Sequence, residues 1–322
     1  MEFVSIPEQG SSWREMLEYS FLTGSSQPQD LMVEILDAET VELIGTMRLY
    51  GVTEGRVNIA PYIQNRLSLT PPSSDDLVAI VPSPSAISVV VRVGGVLSEE
   101  RIFFRSAIGG DEVSWLGSLP QNQEVERGDV VRLTLCPDQT MRLVVSYSGS
   151  INERPMDRDV AASGYPMELM IQTAHLKAGD SINVTLKPAS GQTQSLRYVV
   201  LPRRASSRRL VWYNVAGGVE GYTFGHSLCL GYSVDVDDVV GCGGEQQRCV
   251  DGSVRYRLCS GYESAAMAEH VAELLLSPVV FFEKDGVLRS VVLESREVQF
   301  DSKGQLHTLS LVVSEAWRGG VL

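Results

Sequence analysis

The feature that most constrains this chain is its period-two patterning in short runs. Ile87, Val89, Val91 and Val93 alternate with Ser88, Val90 and Arg92 before meeting Gly94-Gly95. Ile182, Val184 and Leu186 alternate with Asn183, Thr185 and Lys187, and Leu196, Tyr198 and Val200 repeat the rhythm. Alternation places apolar side chains on one face of a sheet and polar ones on the other. Many short strands between turn residues predict a mostly β protein of antiparallel sandwiches rather than a parallel α/β sheet.

Two stretches carry a helical rhythm. Ser12 to Leu22 places Trp13, Met16, Leu17 and Tyr19 at helix-like spacing. A second helix is predicted over about 262–276, opened by Ser260-x-x-Glu263 as a capping box and closed by Ser277-Pro278. Its Met267, Val271, Leu274 and Leu275 form one apolar stripe. Beyond it, VVFFEK, Asp285-Gly286 and VLRSVVLE read as a hairpin, and another pivots near Ser302-Lys303-Gly304.

With 322 residues the chain has room for two or three domains. Polar seams at 116–129 and 201–209 divide it into β-sandwich-like domains at 1–120, 121–205 (Ig-like) and 206–322, the last holding the helix. A net charge of −13 opposes binding to phosphate backbones, so nucleic acid is not an expected partner. No apolar run approaches the ~20 residues that span a bilayer. The N-terminus lacks the basic and apolar regions of a signal peptide, which points to synthesis in a bacterial cytoplasm.

No reaction centre emerges from the residues. GHSLCLG has Gly225 two before Ser227 but Cys229 two after it, so it fails as a nucleophile elbow. Cys229, Cys242, Cys249 and Cys259 are soft ligands at long, irregular spacings, unlike the tight pairs of structural zinc sites. Asp235, Asp237 and Asp238 lack the glycine and glutamate offsets of a calcium loop. His175, His226, His270 and His307 are scattered. The expectation is therefore no enzyme, no metal and no cofactor.

Two constellations remain as candidate contacts. The stretch RRLVWYNVAGGVEGYTF, residues 208–224, reads as a hairpin. Leu210, Trp212 and Asn214 project one way, Val211 and Tyr213 the other, with Tyr222 and Phe224 returning opposite. Its aromatics either fix hairpin register or form a platform for a glycan. Just before it, Arg203, Arg204, Arg208 and Arg209 form a basic run in an acidic chain. That run is either a solvated linker or a dock for an acidic partner, such as another copy of the chain.

The 208–224 hairpin, the downstream AEHVAELLLSPVVFF and the closing VVLESREVQFDSKGQLHTLSLVVSEA, with VNIAPYIQNRL upstream, carry a resemblance. In order along the chain they resemble a group of β-rich proteins of Bacteroides-type bacteria and their phages or prophages. In that group a W-x-N-x-x-G-G hairpin precedes a helix ending L-L-x-S-P. The Gly- and Cys-rich insert at 241–259 departs from the pattern. The resemblance implies an oligomeric, virion-associated structural subunit of a tail, baseplate or fibre, with other protein subunits as partners. It implies no catalytic residues. An adhesion or carbohydrate-binding protein using the aromatics is the alternative.

Overall fold

The computed structural model describes residues 1–12, 16–64, 66, 69–104, 115–117, 119–137, 139–150, 154–241, 244–295, 299–303 and 306–316. It is mostly β and almost wholly antiparallel. In chain order the first unit contributes β1 (Glu2–Ser5), β2 (Glu18–Leu22), β3 (Gln29–Asp37), β4 (Leu43–Val52), β5 (Glu54–Asn58) and the short helix α1 (Ala60–Gln64). It continues through β6 (Val78–Pro82), β7 (Ala86–Val93), β8 (Val96–Leu97) and β9 (Arg101–Phe104). The sheet β1-β2-β5 faces the sheet built on β4-β3-β7-β8 with β9 beside β7. Between them Tyr19, Phe21, Val33, Ile35, Val89, Val91 and Phe103 form one core.

The helix expected over 12–22 is not there. Residues 18–22 are strand β2, and Leu17, Tyr19 and Phe21 are buried alternately. Over so few residues an apolar spacing of two to four satisfies both periods, and pairing with β1 and β5 selects the strand. Trp13, part of that expectation, lies outside the described residues.

The middle unit comprises β10 (Asn122–Glu126), β11 (Val130–Leu135), β12 (Met141–Ser148), β13 (Met156–Val160), β14 (Met167–Gln172), β15 (Ser181–Pro188) and β16 (Gln194–Leu201). One sheet runs β10-β16-β15-β12-β13, with β10 and β16 parallel. The facing sheet runs β11-β14-β6. That last strand comes from inside 1–120, so the first domain is not self-contained as divided above. The chain lends β6 to the middle sandwich, bends at Ser83-Pro84-Ser85, and returns as β7. The bend is held by two hydroxyls: the buried Ser83 Oγ donates to Glu168 Oε1 at 2.8 Å, and the half-buried Tyr165 donates to Ala86 O at 2.8 Å.

The C-terminal unit adds β17 (Arg208–Tyr213), β18 (Val219–Phe224), β19 (His226–Gly241), β20 (Gly244–Cys259), β21 (Glu263–Ser264), the helix α2 (Ala265–Ala272), β22 (Val280–Lys284), β23 (Val287–Leu293), β24 (Gln299–Lys303) and β25 (Leu306–Ala316). These strands make one sheet in the order β18-β17-β22-β23-β25-β20-β19, with β21 and β24 beside β25. A 3-10 turn, Glu273–Leu276, ends the helix before Ser277-Pro278. The expected capping box is displaced. Ser264 caps α2, accepting from Met267 N, while Ser260 Oγ accepts from Leu309 N at 2.9 Å. The Asp285-Gly286 turn takes φ values of 52° and 76°, as a two-residue hairpin turn requires. The last hairpin pairs Lys303 with Leu306; Gly304 lies outside the described residues.

Candidate interaction surface

The 208–224 hairpin forms, with Leu210 opposite Tyr222 and Tyr213 opposite Val219. Its aromatics are not on the surface. Leu210, Trp212, Tyr222 and Phe224 pack with Met267, Val271 and Leu274 of α2. Tyr213, with Val211 and Val219, is buried on the opposite face. A ligand platform needs exposed rings, and these rings are core. The hairpin's outer edge lies against the middle unit, where Val219 N donates to Thr134 Oγ1 at 2.8 Å and Asn214 Nδ2 to Leu116 O at 2.7 Å.

The basic run is not a free linker, since each of its arginines meets a partner within the chain. Arg209 alone is turned fully inward, whereas the side chains of Arg203 and Arg204 are 46% and 43% exposed. Arg204 pairs with Glu126 at 2.6 Å, and Arg209 pairs with Glu283 at 3.1 Å. Glu283 also takes Arg132 at 2.8 Å, so two guanidinium groups share one buried carboxylate. Arg203 pairs with Asp285 at 2.7 Å. Arg208 lies over the Tyr256 ring, 5.8 Å from its centroid. Asp129, beside Arg209 and Thr223, has its carboxyl pushed up by burial, with Arg209 opposing that shift. Around this run opens a cleft of about 670 Å³.

The exposed apolar surface lies elsewhere, on β19. This strand ends its sheet and, among the described residues, pairs with β20 alone. Leu228, Leu230 and Tyr232 on it are 60%, 40% and 69% exposed. An open edge with exposed apolar side chains offers a row of backbone donors and acceptors to another strand. By contrast β13, an edge of the middle unit, carries Asp157, Arg158 and Asp159, charges that discourage pairing. Beyond Ser253, where β25 pairs with β20 as far as Ala316, residues 244–252 pair with β19 alone among the described residues. At ~3.4 Å per residue this two-stranded arm extends about 30 Å. In sequence the same segment stands out for its serine, cysteines and aspartates rather than for its edge. Its usable signal was an apolar run, Leu228, Leu230 and Tyr232, with no lysine or proline to guard it.

Ser227 Oγ donates to the backbone, at Ser206 O, 2.7 Å away. Cys229 and Cys259 are unbridged thiols. Cys242 and the side chains of Cys249, Asp235, Asp237 and Asp238 lie outside the described residues. Among the described residues no cluster of His, Cys, Asp and Glu is arranged to hold a metal ion, and no helix is long and apolar enough to cross a membrane. His270 is buried against Glu220 at 3.4 Å. Glu168 is likewise sealed, its carboxyl pushed up to about 7 by burial.

No family model matches the chain, and no curated protein matches it. Among solved structures, Dpr2 Ig1-Ig2 in complex with DIP-Theta Ig1-Ig3 aligns over 63% of this chain and 99% of that chain, at 11% identity and a TM-score of 0.18. Trypsin-activated alpha-2-macroglobulin from Escherichia coli aligns over 96% of this chain and 21% of that chain, at 9% identity and a TM-score of 0.22. Scores this low carry no functional argument, and the reading of this chain rests on its own geometry.

Proposed function

We propose that this chain is an assembly subunit that works through protein–protein contacts, joined to a neighbour by strand addition at β19. One observation carries the reading: the exposed Leu228, Leu230 and Tyr232 sit on the open edge of a strand whose hairpin runs on past its own sheet. A lone two-stranded hairpin is marginal in water, so the arm gains most of its order from a partner. Strand addition supplies the missing backbone bonds, and the apolar side chains supply register. The resemblance to phage and prophage structural proteins suggests a virion tail, baseplate or fibre as the setting. On this reading the chain is not an enzyme.

The test is sedimentation of the full chain across a wide concentration range. Leu230→Pro removes a backbone donor from the edge, and Tyr232→Lys adds a guarding charge. Either substitution is expected to shift the chain toward monomer while leaving its melting transition in place. A wild-type chain that stays monomeric at the highest concentration would sink the proposal. So would association that both substitutions leave untouched.

A further inference from the structure

We infer that the cleft around the basic run receives the distal β19–β20 arm of a second copy of this chain. The inference deepens the assembly reading and rests on it.

The cleft is lined by six cationic side chains against four carboxylates, in a chain of net charge −13. Most of those cations are already paired. Arg203, Arg204, Arg209 and Arg289 each meet a carboxylate within ion-pair distance. Among the described residues Arg208 and Lys284 do not. They stand beside an apolar wall in which Tyr256 and Phe282 meet edge to face at 5.7 Å. A fitting ligand therefore carries negative charge and apolar side chains together.

One segment of this chain has that composition. Residues 234–251 hold Asp235, Asp237, Asp238, Glu245 and Asp251 against the single cation Arg248, interspersed with Val234, Val236, Val239, Val240 and Val250. The arm cannot serve its own cleft while paired as it is. Tyr256, at the base of the hairpin, lines the cleft, whereas the register carries the Gly241–Gly244 end along the strands away from Tyr256. The occupant is then another copy. Each copy offers both an arm and a cleft, a head-to-tail contact that closes into a ring or continues as a filament.

The test titrates a labelled synthetic peptide of residues 232–253, with Cys242 and Cys249 replaced by serine, into the full chain. Saturable binding is expected, weakening as salt rises. The pair Arg208→Glu and Lys284→Glu is expected to weaken it about tenfold or more. Lys284→Glu alone, whose side chain is solvent-exposed, tests the same point should the Arg208 change disturb Tyr256. Equal binding by wild-type and charge-reversed chains overturns the inference. So does equal binding of a scrambled peptide of the same composition, which marks a general polyanion site. Self-association that depends on Leu230 without any peptide binding removes this inference and leaves the assembly reading standing. Specific peptide binding by a chain that never self-associates keeps the cleft's preference and removes the assembly.

Discussion

Glu220 Oε2 lies 3.4 Å from His270 Nδ1 inside the C-terminal core, the two side chains 0% and 1% exposed. Glu220 stands on β18 opposite Trp212, and His270 is on α2, its ring 5.7 Å from the Trp212 ring. Asn214 Nδ2 donates to the other oxygen of Glu220 at 2.5 Å. Burial pushes the carboxyl up to about 8 and the imidazole down to about 4. Both groups are therefore neutral near neutral pH, an acid beside a base with no opening to water, which suits packing rather than proton transfer to a substrate.

The pair sets a pH dependence of stability. Glu220 is raised on folding from 4.5 to about 8, so its stabilisation is complete below pH 4.5 and is lost as pH rises through about 8. His270 is lowered from 6.5 to about 4, so its contribution is complete above pH 6.5 and is lost as pH falls through about 4. The two oppose each other between 4.5 and 6.5, and from 6.5 to 8 the carboxyl acts alone of the pair. Glu168, raised to about 7, slopes the same way as Glu220. Urea midpoints are expected to fall from pH 6.5 to 8, and Glu220→Gln is expected to flatten that fall. An identical slope in the variant would refute the assignment.

The buried triad Arg132–Glu283–Arg209 ties the middle unit to the C-terminal sheet. Its side chains are between 1% and 5% exposed. Each arginine also has a backbone acceptor, Arg209 at Val130 O across the seam and Arg132 at Pro72 O in the segment before β6. Among the described residues, removing the shared carboxylate leaves Arg132 with no carboxylate and Arg209 with only Asp129, 3.8 Å away. Glu283→Gln is expected to cost about 3–5 kcal/mol in equilibrium denaturation. Replacing all three residues by apolar groups of similar volume is expected to cost far less, because no charge is then left alone. A Glu283→Gln loss under about 1 kcal/mol would mean that the seam admits water.

Much of this architecture was legible where a signal is local. The alternations at 182–186 and 196–200 mark β15 and β16, and Ile182, Val184, Leu186, Leu196, Tyr198 and Val200 are all buried. Asp285-Gly286 marks its hairpin, and Asn214 to Gly218 marks the turn between β17 and β18. What was not legible depends on distant partners. Nothing near Val78–Pro82 says that this strand pairs with β14 rather than with its chain neighbours. Nothing near Arg204 or Arg209 reveals Glu126 or Glu283, each more than seventy residues away. The hairpin itself was legible, but the places of its aromatics were not: none pairs with another across the strands, Trp212 standing opposite Glu220 and Tyr213 opposite Val219. A sheet buried on both faces, by α2 and by the middle unit, cannot be distinguished in sequence from one that leaves a face open.

The two turn glycines serve different ends. Gly217 adopts φ 80°, a conformation that side chains disfavour. Gly218 is needed for space: a Cβ there would sit 2.1 Å from Leu116 O, a backbone atom with no room to move. Gly218→Ala is expected to destabilise by roughly 1–3 kcal/mol through displacement of the seam between Leu116 and the hairpin. Amide exchange at Val219, which donates to Thr134, is expected to speed up in parallel. Unchanged stability and unchanged exchange together would show that the hairpin is not seated on Leu116.

Two serines near the helix start can be separated by one measurement. Ser264 caps α2, its Oγ accepting from Met267 N at 3.2 Å, while Ser260 Oγ accepts from the buried Leu309 N on β25. Ser264→Ala removes a helix cap and is expected to cost about 1 kcal/mol. Ser260→Ala leaves a sheet amide without a partner and is expected to cost about 1–3 kcal/mol. Hydrogen exchange distinguishes the two because each loss is local: the first exposes the Met267 amide, the second the Leu309 amide. Were Ser260→Ala to release Met267 while Ser264→Ala left it protected, the cap would belong to Ser260 after all, as the sequence spacing to Glu263 suggests.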